Sequence, residues 1–174
     1  SWIDWSHVDE ELLNFTSRVV ALRAAHPVFR RRLFFTGATD SFGVPDIAWL
    51  RPDGNSMGDD DWGTATVRAL AVFINGQAII GPGPRGEQIE DDSFLLLLNP
   101  GNEDVDFTLP DGQLGEGWMP VLDTADAPAN AHVAAAVAVT GNAAGVTTDP
   151  DAELLPAKTV RPVLAHSTVL LRRA

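Results

Sequence analysis

The chain lacks cysteine, so neither disulfide bonds nor thiolate chemistry can contribute to its stability or function. This absence fits a reducing compartment, and we expect a cytoplasmic protein. A segment that spans a bilayer needs about 20 consecutive apolar residues, and no apolar run in the sequence approaches that length. The first residues do not resemble a signal peptide. We therefore expect a protein that does not enter a membrane.

Basic residues are also scarce. The 12 lysines and arginines are outnumbered by 24 acidic residues, and the net charge is −12. Nucleic acids and anionic membrane surfaces are bound through clustered basic side chains, which this composition does not favour. We exclude both as partners, whereas a neutral, hydroxyl-rich ligand remains compatible with the charge.

The usual catalytic motifs are missing as well. The four histidines, at positions 7, 26, 132 and 166, do not have metal-ligand spacing, and we predict neither a metal nor a cofactor. Ser93 and Ser167 have no histidine and acid at a triad spacing. The segment 81–83 is too rich in proline to cradle a phosphate. We predict no catalytic residue in this chain.

A helix is the first predicted element. Ser6 followed by Asp9 resembles a capping box, and Pro27 ends the segment, which predicts a helix over residues 7–25. Its apolar residues recur at spacings of four and three and define one face. We expect this face to be covered by the rest of the chain or by a second copy, through self-association. The face consists of Val8, Leu12, Phe15, Val19 and Leu22.

From Thr64 onward, short apolar runs separated by turn signals predict an antiparallel β-sandwich. Asn75-Gly76 favours a tight hairpin between 67–74 and 77–80, followed by a loop over 81–92. Residues 125–150 have no persistent pattern, and we interpret them as an insertion. Residues 94–98 are predicted to form a central strand, and residues 105–109 its partner nearer the edge of the sheet. The remaining predicted strands are 118–122, 160–164 and 168–171. The predicted core contains Phe73, Leu96, Phe107, Trp118 and Leu170.

The stretch from Pro45 to Trp62 separates the helical part from the β part. Pro52-Asp53-Gly54 predicts a tight turn after the apolar segment 47–50. Residues 59–61 are three adjacent aspartates. They form either a solvated loop or a loop that faces a polar ligand, since Trp49 and Trp62 offer stacking surfaces beside hydrogen-bond acceptors.

Several segments together resemble a known family. The chain contains, in order, SWIDWS at 1–6, LRAAHPVFRRRLFF at 22–35, DIAWLRPDG at 46–54, DDDW at 59–62, RGEQIEDDSFLLLLNPGNEDVDFTLP at 85–110 and WMPVLDTA at 118–125. This order resembles the C-terminal part of bacterial glycogen debranching enzymes, the isoamylase-like glycoside hydrolases. The resemblance covers most of residues 1–125.

The resemblance implies a mainly β chain, with the last helix of a truncated (β/α)8 barrel in residues 1–45 and a C-terminal antiparallel β-sandwich in 46–174. It implies a fragment of an enzyme that hydrolyses α-1,6-glucosidic branch links in glycogen or limit dextrins. The motifs that carry the family's catalytic carboxylates are missing here, so the fragment alone should be inactive. The alternative is a non-catalytic carbohydrate-binding or domain-stabilising β-sandwich.

The resemblance also suggests residues for glucan contact. In the family, the SWIDW segment lines the substrate cleft, which makes Trp2, Asp4 and Trp5 candidates, because indoles stack on sugar rings and carboxylates accept hydrogen bonds from hydroxyls. Trp5 could instead pack beneath the helix. The complete set of candidate substrate-binding residues is Trp2, Asp4, Trp5, Trp49, Asp61 and Trp62.

Overall fold

A computed structural model describes residue 2 and residues 7–64, 68–125 and 153–174. Within these ranges the chain is mainly β, as predicted, with eight strands and two α-helices. The helices are α1 (Glu10–Ala25) and α2 (Asp59–Trp62), and 3-10 turns cover Pro27–Arg30 and Gly76–Ala78. The strands are β1 (Ile47–Leu50), β2 (Leu70–Ile74), β3 (Phe94–Asn99), β4 (Val105–Thr108), β5 (Gly117–Asp123), β6 (Leu155–Pro156), β7 (Val160–Val163) and β8 (Ser167–Arg173).

The strands form a sandwich of two antiparallel sheets. The larger sheet has the order β1-β2-β3-β8-β5-β6, and the smaller one pairs β4 with β7. Apolar side chains from both sheets meet between them, which confirms the predicted sandwich. Its interior includes Phe73, Leu95, Leu97, Phe107, Trp118, Val163 and Leu171.

The outer face of the larger sheet carries a second apolar cluster. Because side chains alternate along a strand, Leu95 faces the sandwich interior while its neighbours Phe94 and Leu96 face outward. Leu22 from α1 and Val28 from the following turn cover part of this outer face. The predicted single core is therefore wrong in two members: Leu96 is half-buried, and Leu96 and Leu170 belong to the outer cluster.

Helix α1 begins three residues later than predicted. Asp9 is its N-cap and accepts a hydrogen bond from the Leu12 amide at 3.0 Å, whereas Ser6 lies outside the described residues. Of the predicted apolar face, Leu22 is buried at 5% exposed and Val8 and Phe15 are half-buried, whereas Leu12 and Val19 are 61% and 36% exposed. Within the described ranges, no helix combines the length and apolar character required to cross a bilayer.

The predicted Asn75-Gly76 hairpin is wrong. A type I′ turn needs positive φ at both central residues, but φ of Asn75 is −87°. The Asn75 side chain instead accepts a hydrogen bond from the Gln77 amide and starts a 3-10 turn. A Cβ on Gly76 would collide with the carbonyl oxygens of Asp91 and Asp92, so glycine serves close packing here. Strand β2 pairs with β1 and β3.

Strands β3 and β4 are not partners, in contrast to the prediction. After β3 the chain crosses to the smaller sheet, where β4 pairs with β7. Buried Asn99 stabilises this crossing, because its side-chain amide donates to the carbonyl oxygens of Glu103, Val163 and Leu164 at 2.8–3.0 Å. Strand β7 therefore belongs to the smaller sheet, whereas β8, the next strand along the chain, belongs to the larger one.

The segment between α1 and β1 is joined to the larger sheet through Asp46, which is 1% exposed. Its carboxylate accepts hydrogen bonds from the backbone amides of Thr36 and Gly37 at 3.0 and 2.9 Å. It also pairs with the Arg31 guanidinium at 3.3 Å. The Asp46 carbonyl accepts from the Asn75 amide at 3.1 Å. One residue therefore ties the connection to the sheet.

Candidate functional site

Two exposed tryptophans meet at the edge of the larger sheet. Trp49 lies on β1, the edge strand, and Trp62 is the last residue of α2. Their ring centroids are 5.5 Å apart and the ring planes are inclined by 77°, an edge-to-face contact. The two side chains remain 40% and 55% exposed. The structure therefore brings together the two indoles on which the sequence prediction of a ligand-facing segment rests.

A tight turn positions the pair. Gly54 closes the predicted turn, with its amide donating to the Arg51 carbonyl at 2.9 Å and with φ of +83°. The chain then folds back on the free edge of β1, where the Met57 amide donates to the Trp49 carbonyl at 2.9 Å. A Cβ on Gly54 would lie 2.8 Å from the Thr108 carbonyl oxygen. Glycine is therefore needed for both the turn and the approach to β4.

The three aspartates before Trp62 form a helical turn, so the prediction of a loop there is wrong. Asp61 explains the difference: its carboxylate accepts a hydrogen bond from the Gly58 amide at 2.8 Å, which satisfies a donor at the start of α2. The negative charges also lie in the first turn of this helix. Asp61 thus positions Trp62.

Arg51 connects the turn to α2. Its guanidinium makes a forked contact with Asp53, with nitrogen–oxygen distances of 3.2 and 2.8 Å, and lies 3.6 Å from the Asp61 carboxylate. Hydrogen bonds from Arg51 and from the Asn55 amide lower the pKa of Asp53 from 3.8 to about 2. Two of these three side chains are more than one-third exposed, so the fork orders surface groups and adds little stability.

A cleft of about 490 Å³ continues from Arg51 along the molecule. Arg68, Asn102 and Glu103 contribute hydrogen-bonding groups to its walls, and Pro52 and Val105 contribute apolar surface. Arg51 lines this cleft and also lies 3.6 Å from the carboxylate of Asp61, the residue before Trp62. The indoles and the polar lining of the cleft are therefore linked through Arg51 and Asp61.

The other predicted site residues are not brought to this surface by any described contact. Trp2 is fully exposed, and Asp4 and Trp5 lie outside the described residues. The sequence prediction missed Arg51 and Asp53. The signal was present, because Leu50 is buried and alternation then turns Trp49 and Arg51 outward together.

His26, Asp91 and Asp92 form a separate cluster, with one possible metal-ligating atom each within 4.8 Å of the others. The His26 ring nitrogen lies 2.8 Å from Asp91, and the Val28 amide donates to the other Asp91 oxygen at 2.9 Å. Asp92 pairs with Arg172 at 3.1 Å. The Asp91 contacts tie the end of α1 to the loop before β3, and the Asp92 contact ties that loop to β8, so the cluster has a structural role.

The fold, with its exposed aromatic edge, defines the chain as a β-sandwich domain. Comparison with known proteins gives its family: the one described as Isoamylase, C-terminal, matches residues 46–149. The chain therefore belongs to the isoamylase C-terminal family.

Individual relatives agree with this assignment. A Mycobacterium bovis protein called "Glycogen operon protein GlgX homolog" is 48% identical over 130 residues, which cover 72% of this chain and 18% of that protein. An "Isoamylase" from Flavobacterium sp is 30% identical over 129 residues, covering 72% and 15%. A "Glycogen debranching enzyme" from Dickeya chrysanthemi is 25% identical over 113 residues, covering 65% and 14%. The chain thus spans less than one-fifth of the length of these relatives.

We predict that Arg51→Gln raises the pKa of Asp53 from about 2 towards 3.8, because the strongest hydrogen bonds that favour the charged carboxylate are lost. Because the pKa of Asp53 is lower in the folded chain than in the unfolded chain, its carboxylate favours folding at pH values above about 4. This contribution to stability is lost as the pH falls from about 4 to about 2. Carboxyl-carbon NMR titration of Asp53 measures the change, and Arg68→Gln is the control. An unchanged Asp53 pKa in Arg51→Gln would show that the fork does not form.

Proposed function

We propose that this chain is the C-terminal segment of a glycogen debranching enzyme that hydrolyses α-1,6-glucosidic branch links in glycogen or limit dextrins. One observation carries the proposal, the 48% identity over 130 residues with a protein whose name places it in a glycogen operon. The relatives called isoamylase and glycogen debranching enzyme support the same chemistry. We further propose that the whole enzyme acts in the cytoplasm.

We also propose a boundary within the chain, and the family match supports it. The match begins at residue 46, where buried Asp46 leads into β1, and this supports residues 46–174 as the β-sandwich domain. We assign residues 1–45 to the end of a catalytic barrel, whose last helix would be α1. The nucleophile and the general acid would then lie in the barrel, and Trp2, Asp4 and Trp5 would contact glucan in its cleft.

The second candidate function is a non-catalytic module that binds carbohydrate or stabilises its neighbour. The observation in its favour is the exposed Trp49–Trp62 pair beside ordered polar side chains. The two functions are compatible, because a domain of an enzyme can hold the substrate without taking part in the reaction.

The 174-residue chain should release no reducing sugar from glycogen, pullulan or maltodextrin, because the paired carboxyl groups required for glycoside hydrolysis belong to the rest of the proposed enzyme. The longer product of the same gene should cleave α-1,6 links. Reducing-sugar assays on both proteins, matched in concentration, test the proposal. Hydrolysis by the short chain, or an inactive folded longer product, would contradict it.

We also propose that the chain self-associates through the outward face of α1, where Leu12 is 61% and Val19 is 36% exposed. A symmetric pair would bury the same apolar patch on each copy. Sedimentation velocity over a concentration series should show a dimer that Leu12→Glu abolishes, while Asn14→Glu, which adds the same charge at another exposed position of α1, leaves it intact. A monomer at every concentration would refute self-association.

A further inference from the structure

We propose that Trp49, Trp62 and the Arg51 cleft form a binding site for a neutral, curved α-glucan chain on the sandwich itself. This inference rests on the proposed function and names the substrate class that this domain would hold. It requires no hydrolysis, so it can fail or succeed independently of the debranching activity.

The aromatic pair provides the stacking surface. An indole face packs on the apolar face of a pyranose ring, and each such contact removes apolar area from water. Trp49 is held by strand β1 and Trp62 by helix α2, so little conformational entropy would be lost on binding. The backbone hydrogen bond from Met57 to Trp49 holds the intervening segment against the strand. The stacking surface is therefore formed before a ligand arrives.

The inclination of the rings favours an α-linked chain. The indole planes are inclined by 77°, so the two rings do not form one flat surface. Successive glucose rings in an α-linked chain also turn relative to one another, and the chain curves. A β-1,4-linked chain is a flat ribbon that would need ring faces in one plane. The pair therefore matches a curved glucan better than a flat one.

The polar surroundings fit hydroxyl groups. Arg51 and Asp53 are fixed by their forked contact at 2.8 and 3.2 Å, which presents partly exposed donors and acceptors in a defined orientation beside the indoles. The adjoining cleft of about 490 Å³ adds the side chains of Asn102 and Glu103. Sugar hydroxyls both donate and accept hydrogen bonds, and this mixed set can satisfy both roles.

Charge selects against anionic polymers. Residues 59–61 place three carboxylates in the helical turn that ends at Trp62, and the whole chain carries a net charge of −12. A phosphorylated or uronic-acid polymer would be repelled at this surface. A neutral glucan is not repelled, and we therefore propose it as the ligand of this site.

Native affinity electrophoresis of the 174-residue chain tests the proposal, with soluble glycogen in one gel and hydroxyethyl cellulose in another. Glycogen should retard the chain, and the β-linked polymer should not. Trp62→Ala and Trp49→Ala should each weaken glycogen binding by about tenfold or more, because a stacking surface is removed. Phe34→Ala is the matched control, since Phe34 is an aromatic residue that is 93% exposed elsewhere on the chain.

Folding of the variants is checked by thermal unfolding, and Trp62→Phe, which keeps an aromatic face, should retain part of the binding. Titration with maltoheptaose should also change the tryptophan fluorescence of the wild-type chain and not that of a variant that combines Trp49→Ala with Trp62→Ala. The proposal is overturned if the folded wild-type chain is not retarded by glycogen, or if both alanine variants are retarded as strongly as the wild type. If the 174-residue chain binds glycogen but the longer protein has no debranching activity, the proposed function alone is refuted.

Discussion

The buried carboxylate of Asp46 is the constraint on which the arrangement of the other elements depends. A charge that is 1% exposed must be matched by donors, and Asp46 receives them from Thr36, Gly37 and Arg31. The same residue hydrogen-bonds through its backbone to Ala38 and Asn75. These contacts hold the connection from α1 on one path across the sheet. They also fix the position at which β1 begins.

A network of polar side chains extends from this point. The side-chain amide of Asn75 donates a hydrogen bond to the Asp40 carboxylate at 2.9 Å, and the Asn75 side-chain oxygen lies 3.4 Å from the Ser93 hydroxyl. The Ser93 hydroxyl in turn accepts a hydrogen bond from the Gly76 backbone amide at 3.1 Å. Burial raises the pKa of Asp40, but hydrogen bonds from Asn75, Val44 and Phe42 outweigh it and lower the net value. The end of the sheet beside β2 is consequently specified by polar contacts, and the apolar packing lies on either side.

This network explains what sequence reasoning could and could not predict. Local patterns were sufficient for α1, for strands such as β3 and β5, and for the turn at Gly54, because alternation, capping and turn residues act over a few positions. Asn75-Gly76 was misassigned because Asn75 is engaged by Asp40 and Ser93, which are 35 and 18 residues away in the sequence. Asn99 likewise acts over a long sequence distance beside the β4–β7 pair, because it donates a hydrogen bond to a carbonyl 64 residues away. No local pattern reports such contacts.

The candidate site was predictable to the same extent. The two tryptophans could be selected from their composition and neighbours, because exposed indoles beside acidic residues suggest a stacking surface. Their edge-to-face inclination could not, since it depends on the chain folding back along β1 and on Asp61 starting α2. The family resemblance is confirmed by the match over residues 46–149, and the chain spans less than one-fifth of the length of the relative called a GlgX homolog.

The role of Asp46 is tested most directly by the free energy of unfolding of Asp46→Asn, measured in urea with Arg31→Met and the double variant alongside. Removing one partner of a buried ion pair leaves the other uncompensated, so we expect Asp46→Asn to destabilise the chain by about 3–5 kcal/mol. The double variant should lose clearly less than the sum of the two single changes, because the unpaired guanidinium is then also removed. A loss below about 0.5 kcal/mol for Asp46→Asn, or simple additivity, would contradict the account.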